Sequence, residues 1–317
     1  MSGGACGAGR GLILRPGALG DVLLALPAAE LVSGSLPLSS MDWIGYPACL
    51  EWLQGTPLAD RIFSIDRPLF CHLFDDRQDD ALDTFLASFS FCVAWARDGE
   101  GHLRRRLERI FQERAWWTPS FPEPGSGVHA ADHLWRGLRD WPYLRVHLPA
   151  DLPDDAPPAR HPLCRQGTRS ASRGILHPGS GGARKCWPLE RFQEAALALA
   201  EAGWEVAWVL GPAEEKIEPR IADFAGRHSM PLLSQCRLRE MAGQLLRARW
   251  YLGNDSGMTH LAAFCGAETF AVFGPTDPRV WGPRGDRVHI MYNEPDPLEW
   301  PESRRVVQTI QSVIEKK

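Results

Sequence analysis

A short loop near the N-terminus holds the first residue that could act as a base. Residues 15–21 read R-P-G-A-L-G-D, between an apolar segment typical of a buried strand and an apolar segment typical of a helix. Asp21 therefore stands at the start of a predicted helix. A carboxylate there can cap the helix, or it can take a proton as a general base if a substrate hydroxyl lies within hydrogen-bond reach. The two roles are compatible, and the sequence leaves both open.

A glycine-rich loop, residues 177–188, lies between a predicted strand and a predicted helix and reads H-P-G-S-G-G-A-R-K-C-W-P. Small residues such as Ser180 and Gly181 allow a ligand to approach the backbone closely, and Lys185 supplies a cation. A phosphate site needs both features. The loop is not a Walker A motif, because its spacing differs and the terminal Lys-Ser/Thr pair is absent. We predict that this glycine-rich loop binds phosphate groups.

A third loop, residues 253–260, follows a buried strand, opens a helix and reads G-N-D-S-G-M-T-H. The free N–H groups and the dipole of a helix N-terminus favour an anion. We therefore predict that Asp255, Ser256 and Gly257 face an anionic ligand, with His260 one helical turn later on the same side. The string D-S-G does not by itself indicate a serine hydrolase, because a catalytic serine also needs a positioned histidine and an orienting acid.

Strand and helix patterns alternate along the whole chain, which predicts an α/β protein with mostly parallel sheets. Strands are predicted at residues 11–15, 43–45, 61–65, 91–95, 174–177, 205–210, 250–252 and 269–273, and helices at 21–31, 80–87, 103–111, 238–246, 258–264, 306–314 and from Pro188 onward. A proline-rich segment, residues 143–173, interrupts the alternation and predicts a linker. We therefore expect two doubly wound domains, residues 1–160 and 161–317, with the site in the cleft between them.

The composition excludes several other classes of protein. The 317 residues carry a formal net charge of -4, so a dedicated nucleic-acid binder, which is usually basic, is disfavoured. The eight cysteines form no C-x-x-C pair and no D-x-D pair is present, so we expect no metal site. No apolar run approaches the ~20 residues that span a bilayer. We expect a cytoplasmic protein, with peripheral contact at the inner face of the cytoplasmic membrane left open.

Taken together, the three loops resemble the ADP-heptose:lipopolysaccharide heptosyltransferases, glycosyltransferase family 9. The matching strings are G-x-L-G-D at residues 17–21, H-P-G…K-x-W-P at 177–188, and D-S-G-x-x-H at 255–260, followed by F-G-P-T at 273–276. The resemblance implies a GT-B fold, which has two Rossmann-like domains around a central cleft. The N-terminal domain would bind the acceptor, and the C-terminal domain would bind the nucleotide-sugar.

The same resemblance implies a role for particular residues. Asp21 falls on the family's catalytic base, and Lys185 falls on its phosphate-binding lysine. Ser180 and Gly181 fall on the loop around the diphosphate. Further donor contacts are implied for Asp255, Ser256, Gly257 and His260. An acidic residue after the strand at 205–210 usually contacts the ribose, and both Glu214 and Glu215 are candidates for that contact.

The implied function is an inverting, metal-independent transfer of a heptose or related sugar from an ADP-sugar to the lipopolysaccharide core or another glycan acceptor. No cofactor is implied beyond this donor. Family acceptors are anionic and lipid-linked, and a local basic patch of Arg61, Arg67 and residues 104–106 could bind them. A solvated helix face is the alternative for residues 104–106. Two alternatives remain, a GT-B transferase with a different nucleotide-sugar and a non-catalytic sugar-nucleotide-binding protein. A nicotinamide-dependent oxidoreductase is disfavoured, because neither half has G-x-G-x-x-G after its first strand.

Overall fold

The computed structural model describes residues 9–161, 170, 172–293 and 299–315. The chain divides into two compact units, Met1–Pro157 and Pro158–Lys317. Each unit contains one parallel β-sheet with flanking helices. The predicted α/β class, with two parallel sheets, is therefore confirmed.

The first unit is built around a five-stranded sheet in the order β3-β2-β1-β4-β5, and all its neighbouring strands run parallel. Its elements are β1 (Gly9–Leu14), α1 (Leu19–Ser35), β2 (Leu38–Gly45), α2 (Pro47–Leu50), β3 (Arg61–Ser64), α3 (Asp80–Ala87), β4 (Phe91–Trp95), α4 (His102–Phe111), β5 (Ala115–Thr118), α5 (Ala130–Arg139) and α6 (Pro142–Arg145). The chain winds outward from β1 to β3 and then returns to place β4 on the other side of β1. The strand order therefore reverses between β1 and β4.

The second unit contains a six-stranded parallel sheet in the order β11-β10-β9-β6-β7-β8. Its elements are β6 (Arg173–His177), α7 (Leu189–Glu201), β7 (Glu205–Leu210), α8 (Glu218–Arg227), β8 (Leu232–Ser234), α9 (Leu238–Arg247), β9 (Trp250–Asn254), α10 (Gly257–Phe264), β10 (Glu268–Val272), α11 (Pro278–Trp281), β11 (Val288–Met291) and α12 (Ser303–Glu315). The strand order reverses between β6 and β9. This is the same doubly wound plan as in the first unit.

The central strands are buried on both faces, as expected for parallel sheets covered by helices. All five residues of β4 are buried, and so are all five residues of β9. In the second unit, Gly174 of β6 lies against the indole of Trp250 in β9, with no room for a side chain. The cores therefore place the carboxyl ends of the central strands, and the loops that follow them, in fixed positions.

Several elements differ from the sequence-based expectation. The sequence pattern did not predict β5, β8, β11, α5 or α8. Helix α7 begins at Leu189 with Pro188 as its N-cap, so Pro188 is one position outside the helix that it was expected to open. The segment predicted as a linker overlaps the one-turn helix α6 at its start, and residues 162–169 and 171 of it lie outside the described residues. Within the described ranges, no helix combines the length and the apolar character that crossing a bilayer requires.

The packing of β6 against β9 yields a stability prediction. In Gly174→Ala, the new Cβ would lie 1.9 Å from ring atoms of Trp250, so the core must shift. We expect the free energy of unfolding to fall by about 1–3 kcal/mol. Chemical denaturation followed by tryptophan fluorescence measures this change.

Gly243→Ala is the matched control, because Gly243 lies inside helix α9 with nothing within 4 Å of the added carbon. Alanine is the better helix former, so this variant should gain about 0.5–1 kcal/mol. Equal effects in the two variants would contradict the close contact between β6 and Trp250.

Candidate functional site

The glycine-rich loop and the loop that opens α10 follow neighbouring strands in the second unit. The first comes directly after β6, the second comes directly after β9, and these two strands pair in parallel register. The strand order of this sheet reverses between them. In open α/β sheets, ligands bind outside the carboxyl ends of the strands at such a reversal. The fold therefore brings two of the three predicted loops to one edge.

A buried amide joins the two loops. Asn254, the last residue of β9, is fully buried. Its Nδ2 donates a hydrogen bond to the carbonyl oxygen of Pro178 at 2.7 Å, and its Oδ1 accepts one from the backbone N–H of Trp187 at 2.9 Å. The indole N–H of Trp187 in turn donates to the carbonyl oxygen of Pro301 at 2.9 Å. Both ends of the glycine-rich loop are thus held by one side chain, which the sequence analysis did not single out.

Three predicted residues meet next to this amide. The Nζ of Lys185 lies 2.7 Å from Oδ2 of Asp255, and the hydroxyl of Ser180 donates to the carbonyl oxygen of Asp255 at 2.6 Å. Asp255 is buried, whereas 38% of the Lys185 side chain is exposed. The ammonium is therefore held in place by a buried carboxylate while it remains open to a ligand.

Thr276 also belongs to this cluster, and sequence reasoning did not assign it a role. Its hydroxyl donates to Oδ2 of Asp255 at 2.8 Å, so it shares that oxygen with Lys185. The only sequence signal was its place in the string F-G-P-T at residues 273–276. Thr276 therefore fixes the carboxylate that fixes the lysine.

The start of α10 is capped by Ser256, whose Oγ accepts a hydrogen bond from the backbone N–H of Thr259 at 3.4 Å. The Thr259 hydroxyl lies 3.1 Å from the hydroxyl of Tyr251, and burial raises the pKa of that tyrosine well above its usual value. Gly257 is the first residue of the helix. The Ser256 hydroxyl therefore caps the helix. The first backbone N–H groups of α10 are the part of the helix that can bind an anion. His260 is buried in the same helix, and its contact with a ligand stays a prediction.

The two acidic candidates for the ribose contact have different environments. Glu214 is 2% exposed, and its Oε2 accepts a hydrogen bond from the backbone N–H of Gly211 at 2.6 Å. The Nε2 of His177 lies 3.6 Å from the same oxygen. Glu215 is exposed. The structure thus engages Glu214 inside the unit and leaves Glu215 at the surface.

Asp21 lies in the first turn of α1 in the other unit. Its Oδ2 accepts a hydrogen bond from the backbone N–H of Ala18 at 2.9 Å, so the helix-capping role is present. Gly17 makes room for it, because a Cβ at Gly17 would lie 2.7 Å from the Cβ of Asp21. Since 23% of the Asp21 side chain is exposed, its carboxylate also remains open to a substrate.

A buried arginine lies beside this carboxylate. Nη2 of Arg15 is 4.0 Å from Oδ1 of Asp21, and Nη1 donates to the carbonyl oxygen of Trp95 at 3.1 Å. Burial lowers the pKa of Arg15 to about 10, although Asp21 acts in the opposite direction. The guanidinium is therefore still charged at neutral pH and orients Asp21 electrostatically. β1 and β4, from whose carboxyl ends Arg15 and Trp95 come, are the strands at the order reversal of the first unit.

Carboxylates pair with several members of the candidate basic patch and so lower its positive charge. Arg61 pairs with the buried Asp42 at 2.8 Å. Arg106 is itself buried and pairs with Asp83 at 2.9 Å. Arg104 pairs with Glu108 at 2.7 Å along the helix. A solvated, internally paired helix face therefore describes residues 104–106 better than an acceptor site.

Among the residues that the structure describes, no group of three or more His, Cys, Asp and Glu side chains is placed to hold a metal ion. Of the cysteines that the structure describes, Cys92 and Cys265 are buried and Cys71 is exposed. Cys6 and Cys164 lie outside the described residues.

The chain is similar in sequence to several heptosyltransferases. Residues 151–305 match the family model "Glycosyltransferase family 9 (heptosyltransferase)". The chain is 26% identical to lipopolysaccharide heptosyltransferase 1 of Pseudomonas aeruginosa, over 89% of this chain and 83% of that protein. It is 28% identical to lipopolysaccharide heptosyltransferase 1 of an Escherichia coli O18:K1:H7 strain, over 97% of this chain and 98% of that protein.

A solved structure shares the whole fold. E. coli heptosyltransferase WaaC with ADP superposes with a TM-score of 0.67 at 17% identity, and the match covers 96% of this chain and 99% of that chain. Together with the two doubly wound parallel sheets, this match shows a GT-B fold with two Rossmann-like domains.

The amide of Asn254 yields a prediction for this site. Asn254→Leu keeps a similar volume but leaves the Pro178 carbonyl and the Trp187 N–H buried without their partner. We expect the free energy of unfolding to fall by about 2–4 kcal/mol, since each unmet group costs about 1–3 kcal/mol. Chemical denaturation measures the loss.

Asn293→Leu is the control, because Asn293 makes its side-chain hydrogen bonds at the surface, to Glu299 and Arg305. Its effect should stay within about 0.5 kcal/mol. If Asn254→Leu cost no more than this control, the amide would not be what holds the two loops together.

Proposed function

Because residues 151–305 match the glycosyltransferase family 9 model, we propose that this chain transfers a heptose, or a closely related sugar, from an ADP-sugar to the lipopolysaccharide core or another glycan acceptor. The observation that carries this proposal is the Lys185–Asp255 pair at 2.7 Å beside the N-terminus of α10. A cation and a helix N-terminus at one sheet edge suit the diphosphate of a nucleotide-sugar. The names of the relatives support the heptose, and ADP in the WaaC structure supports the adenine nucleotide.

In the donor site, the Lys185 ammonium changes its anionic partner when the nucleotide binds. Without a ligand, the Lys185 ammonium is balanced by the Asp255 carboxylate, so the buried acid has its partner. A diphosphate that arrives at Ser180 and Gly181 offers the ammonium a second anion, and the exposed part of the lysine can turn toward it. When the glycosidic bond breaks, negative charge grows on the leaving ADP. Lys185 and the N–H groups at the start of α10 stabilise that charge in place of a metal ion.

Asp21 is the proposed base. As the acceptor hydroxyl oxygen attacks the anomeric carbon, its proton passes to the Asp21 carboxylate and the bond from that carbon to the ADP oxygen breaks. Attack from the face opposite ADP inverts the configuration at the anomeric carbon. The hydrogen bond from Ala18 fixes one carboxylate oxygen, and Arg15 lies 4.0 Å from the other. Because these contacts already exist, the carboxylate is oriented before the acceptor binds.

The remaining contacts follow from the same chemistry. We assign Ser256, Gly257 and His260 to the donor, and the ribose contact falls to one of the two acids Glu214 and Glu215. The acceptor is a lipid-linked or other glycan, met in the cytoplasm or at the inner face of the cytoplasmic membrane. A different nucleotide-sugar, or nucleotide binding without transfer, is the alternative that the two experiments below separate from this proposal.

The donor site is tested by calorimetric titration with ADP, UDP and GDP in the presence of a metal chelator. We expect the wild-type protein to prefer ADP and to bind it without metal. Lys185→Ala should weaken ADP binding about 10- to 100-fold, since a hydrogen bond to a charged group contributes about 1.5–3 kcal/mol.

Arg227→Ala is the control for the lost charge, because Arg227 pairs with Asp223 on the exposed face of α8. Its ADP affinity should equal that of the wild type. Preference for UDP or GDP would show that the donor is not an ADP-sugar. An unchanged ADP affinity in Lys185→Ala would show that this lysine does not bind the diphosphate.

The base is tested by a pair of substitutions at Asp21. Asp21→Asn keeps an oxygen that accepts from Ala18 but cannot take a proton. We expect it to bind ADP normally while transfer from ADP-heptose to a lipopolysaccharide acceptor slows by about 10²–10⁴-fold. Single-turnover release of ADP measures the rate.

Asp21→Ala removes the cap as well and should lose a further ~1 kcal/mol of stability. Near-normal transfer by Asp21→Asn would contradict the catalytic assignment. If Asp21→Asn instead lost its affinity for ADP, the residue would serve the structure of the site and not the chemistry.

A further inference from the structure

A buried histidine lies at the carboxyl end of β6, just before the glycine-rich loop turns. The His177 side chain is 5% exposed, and its Nε2 lies 3.6 Å from Oε2 of Glu214. Among the described residues its Nδ1 has no hydrogen-bond partner. The ring therefore faces Glu214 through Nε2, and Nδ1 is the ring nitrogen on the other side of this contact. Buried polar atoms are usually satisfied, so this arrangement calls for a physical reason.

Glu214 carries a negative charge inside the unit. Burial alone would raise its pKa, but His177 and the backbone N–H of Gly211 outweigh that effect and hold the pKa below its usual value. The Glu214 charge also acts on the glycine-rich loop. Burial and the nearby Glu214 together raise the pKa of Cys186 in that loop. A carboxylate at this place is unfavourable for an anionic ligand unless a partner offsets it.

The carboxylate also supports the backbone of the loop. A Cβ on Gly179 would lie 1.5 Å from Oε1 of Glu214, so the loop backbone rests directly on that oxygen. By contrast, a Cβ on Gly181 or Gly182 would meet nothing within 4 Å. Glycine is required at 179 by the contact with Glu214, and the other two glycines face open space.

We propose that His177 is a positioning residue, which holds the Glu214 carboxylate beneath Gly179 and so keeps the glycine-rich loop in the shape that receives a nucleotide diphosphate. This inference rests on the proposed function, which puts the diphosphate at this loop. His177 acts through Nε2 on Glu214 in two ways. It fixes the oxygen under the backbone, and it offsets the carboxylate's repulsion of the incoming phosphates.

Two amide substitutions separate the two ring nitrogens. The terminal amide of His177→Gln reaches about as far as Nε2 and can still donate to Glu214. The shorter amide of His177→Asn reaches only the position of Nδ1. We expect calorimetry to give an ADP affinity close to wild type for His177→Gln. For His177→Asn we expect a roughly tenfold weaker affinity, because one interaction with a charged partner is lost. The reverse order, or equal affinities for all three proteins, would overturn the inference.

Coupling to Glu214 provides a readout that a merely structural histidine would not change. In a Glu214→Gln background there is no buried charge for His177 to hold. His177→Asn should then change the ADP affinity by less than about twofold, since the two residues act as one unit. A full, additive loss in the double variant would show that His177 does not act through Glu214.

The nucleotide probe distinguishes support of the loop from recognition of the ribose. If the pair serves the loop, His177→Asn weakens ADP and 2′,3′-dideoxy-ADP by the same factor. A loss seen with ADP and absent with the dideoxy nucleotide would assign the pair to the ribose hydroxyls and overturn the proposal.

The matched control is a second His–Glu pair in the same unit, where Nε2 of His289 lies 3.0 Å from Oε2 of the buried Glu268. Glu268 is the first residue of β10, at the sheet edge opposite the glycine-rich loop. His289→Asn, which removes the corresponding Nε2 contact, should leave the ADP affinity unchanged, and a loss there equal to that of His177→Asn would contradict a local effect. Failure of the wild-type protein to bind ADP is a different result, because it refutes the proposed function itself.

Discussion

The site depends on one buried amide. Asn254 ends β9, and its side chain holds the glycine-rich loop that follows β6 by bonds to the Pro178 carbonyl and the Trp187 N–H. Because the amide is fully buried, its bonds do not compete with water. The next residue, Asp255, is thereby brought to Lys185 and Ser180. Without this cross-link, two loops that are about 70 residues apart in the chain would have no common geometry at the sheet edge.

Ion pairs stabilise the charged residues of the site in the absence of a ligand. Each functional charge already has a partner of opposite sign: Lys185 has Asp255, and Asp21 has Arg15. Paired charges keep the protein stable without the substrates, and the exposed member of each pair remains able to engage them. Both units place these groups where their strand order reverses, so the doubly wound fold itself determines where the chemistry can occur.

The sequence was informative where the signal is local. The strands predicted at residues 91–95 and 205–210 have the same bounds as β4 and β7 in the structure. Glycine and proline residues correctly indicated the loops that follow β6 and β9. The contacts of Lys185 and Ser180 with Asp255 could not be predicted, because they join loops from different strands. The interior position of Glu214 was also hidden, since the sequence offered it and Glu215 as equals. Short elements such as β5, four residues long, were missed because so few positions carry no clear period.

The most direct test is a crystal structure of the protein grown with ADP and a metal chelator. We expect the diphosphate at the glycine-rich loop and the start of α10, within hydrogen-bond reach of the backbone at Gly181 and Gly257, with the Lys185 ammonium turned toward a phosphate oxygen. A nucleotide bound elsewhere on the chain, or bound with its diphosphate away from both loops, would contradict it.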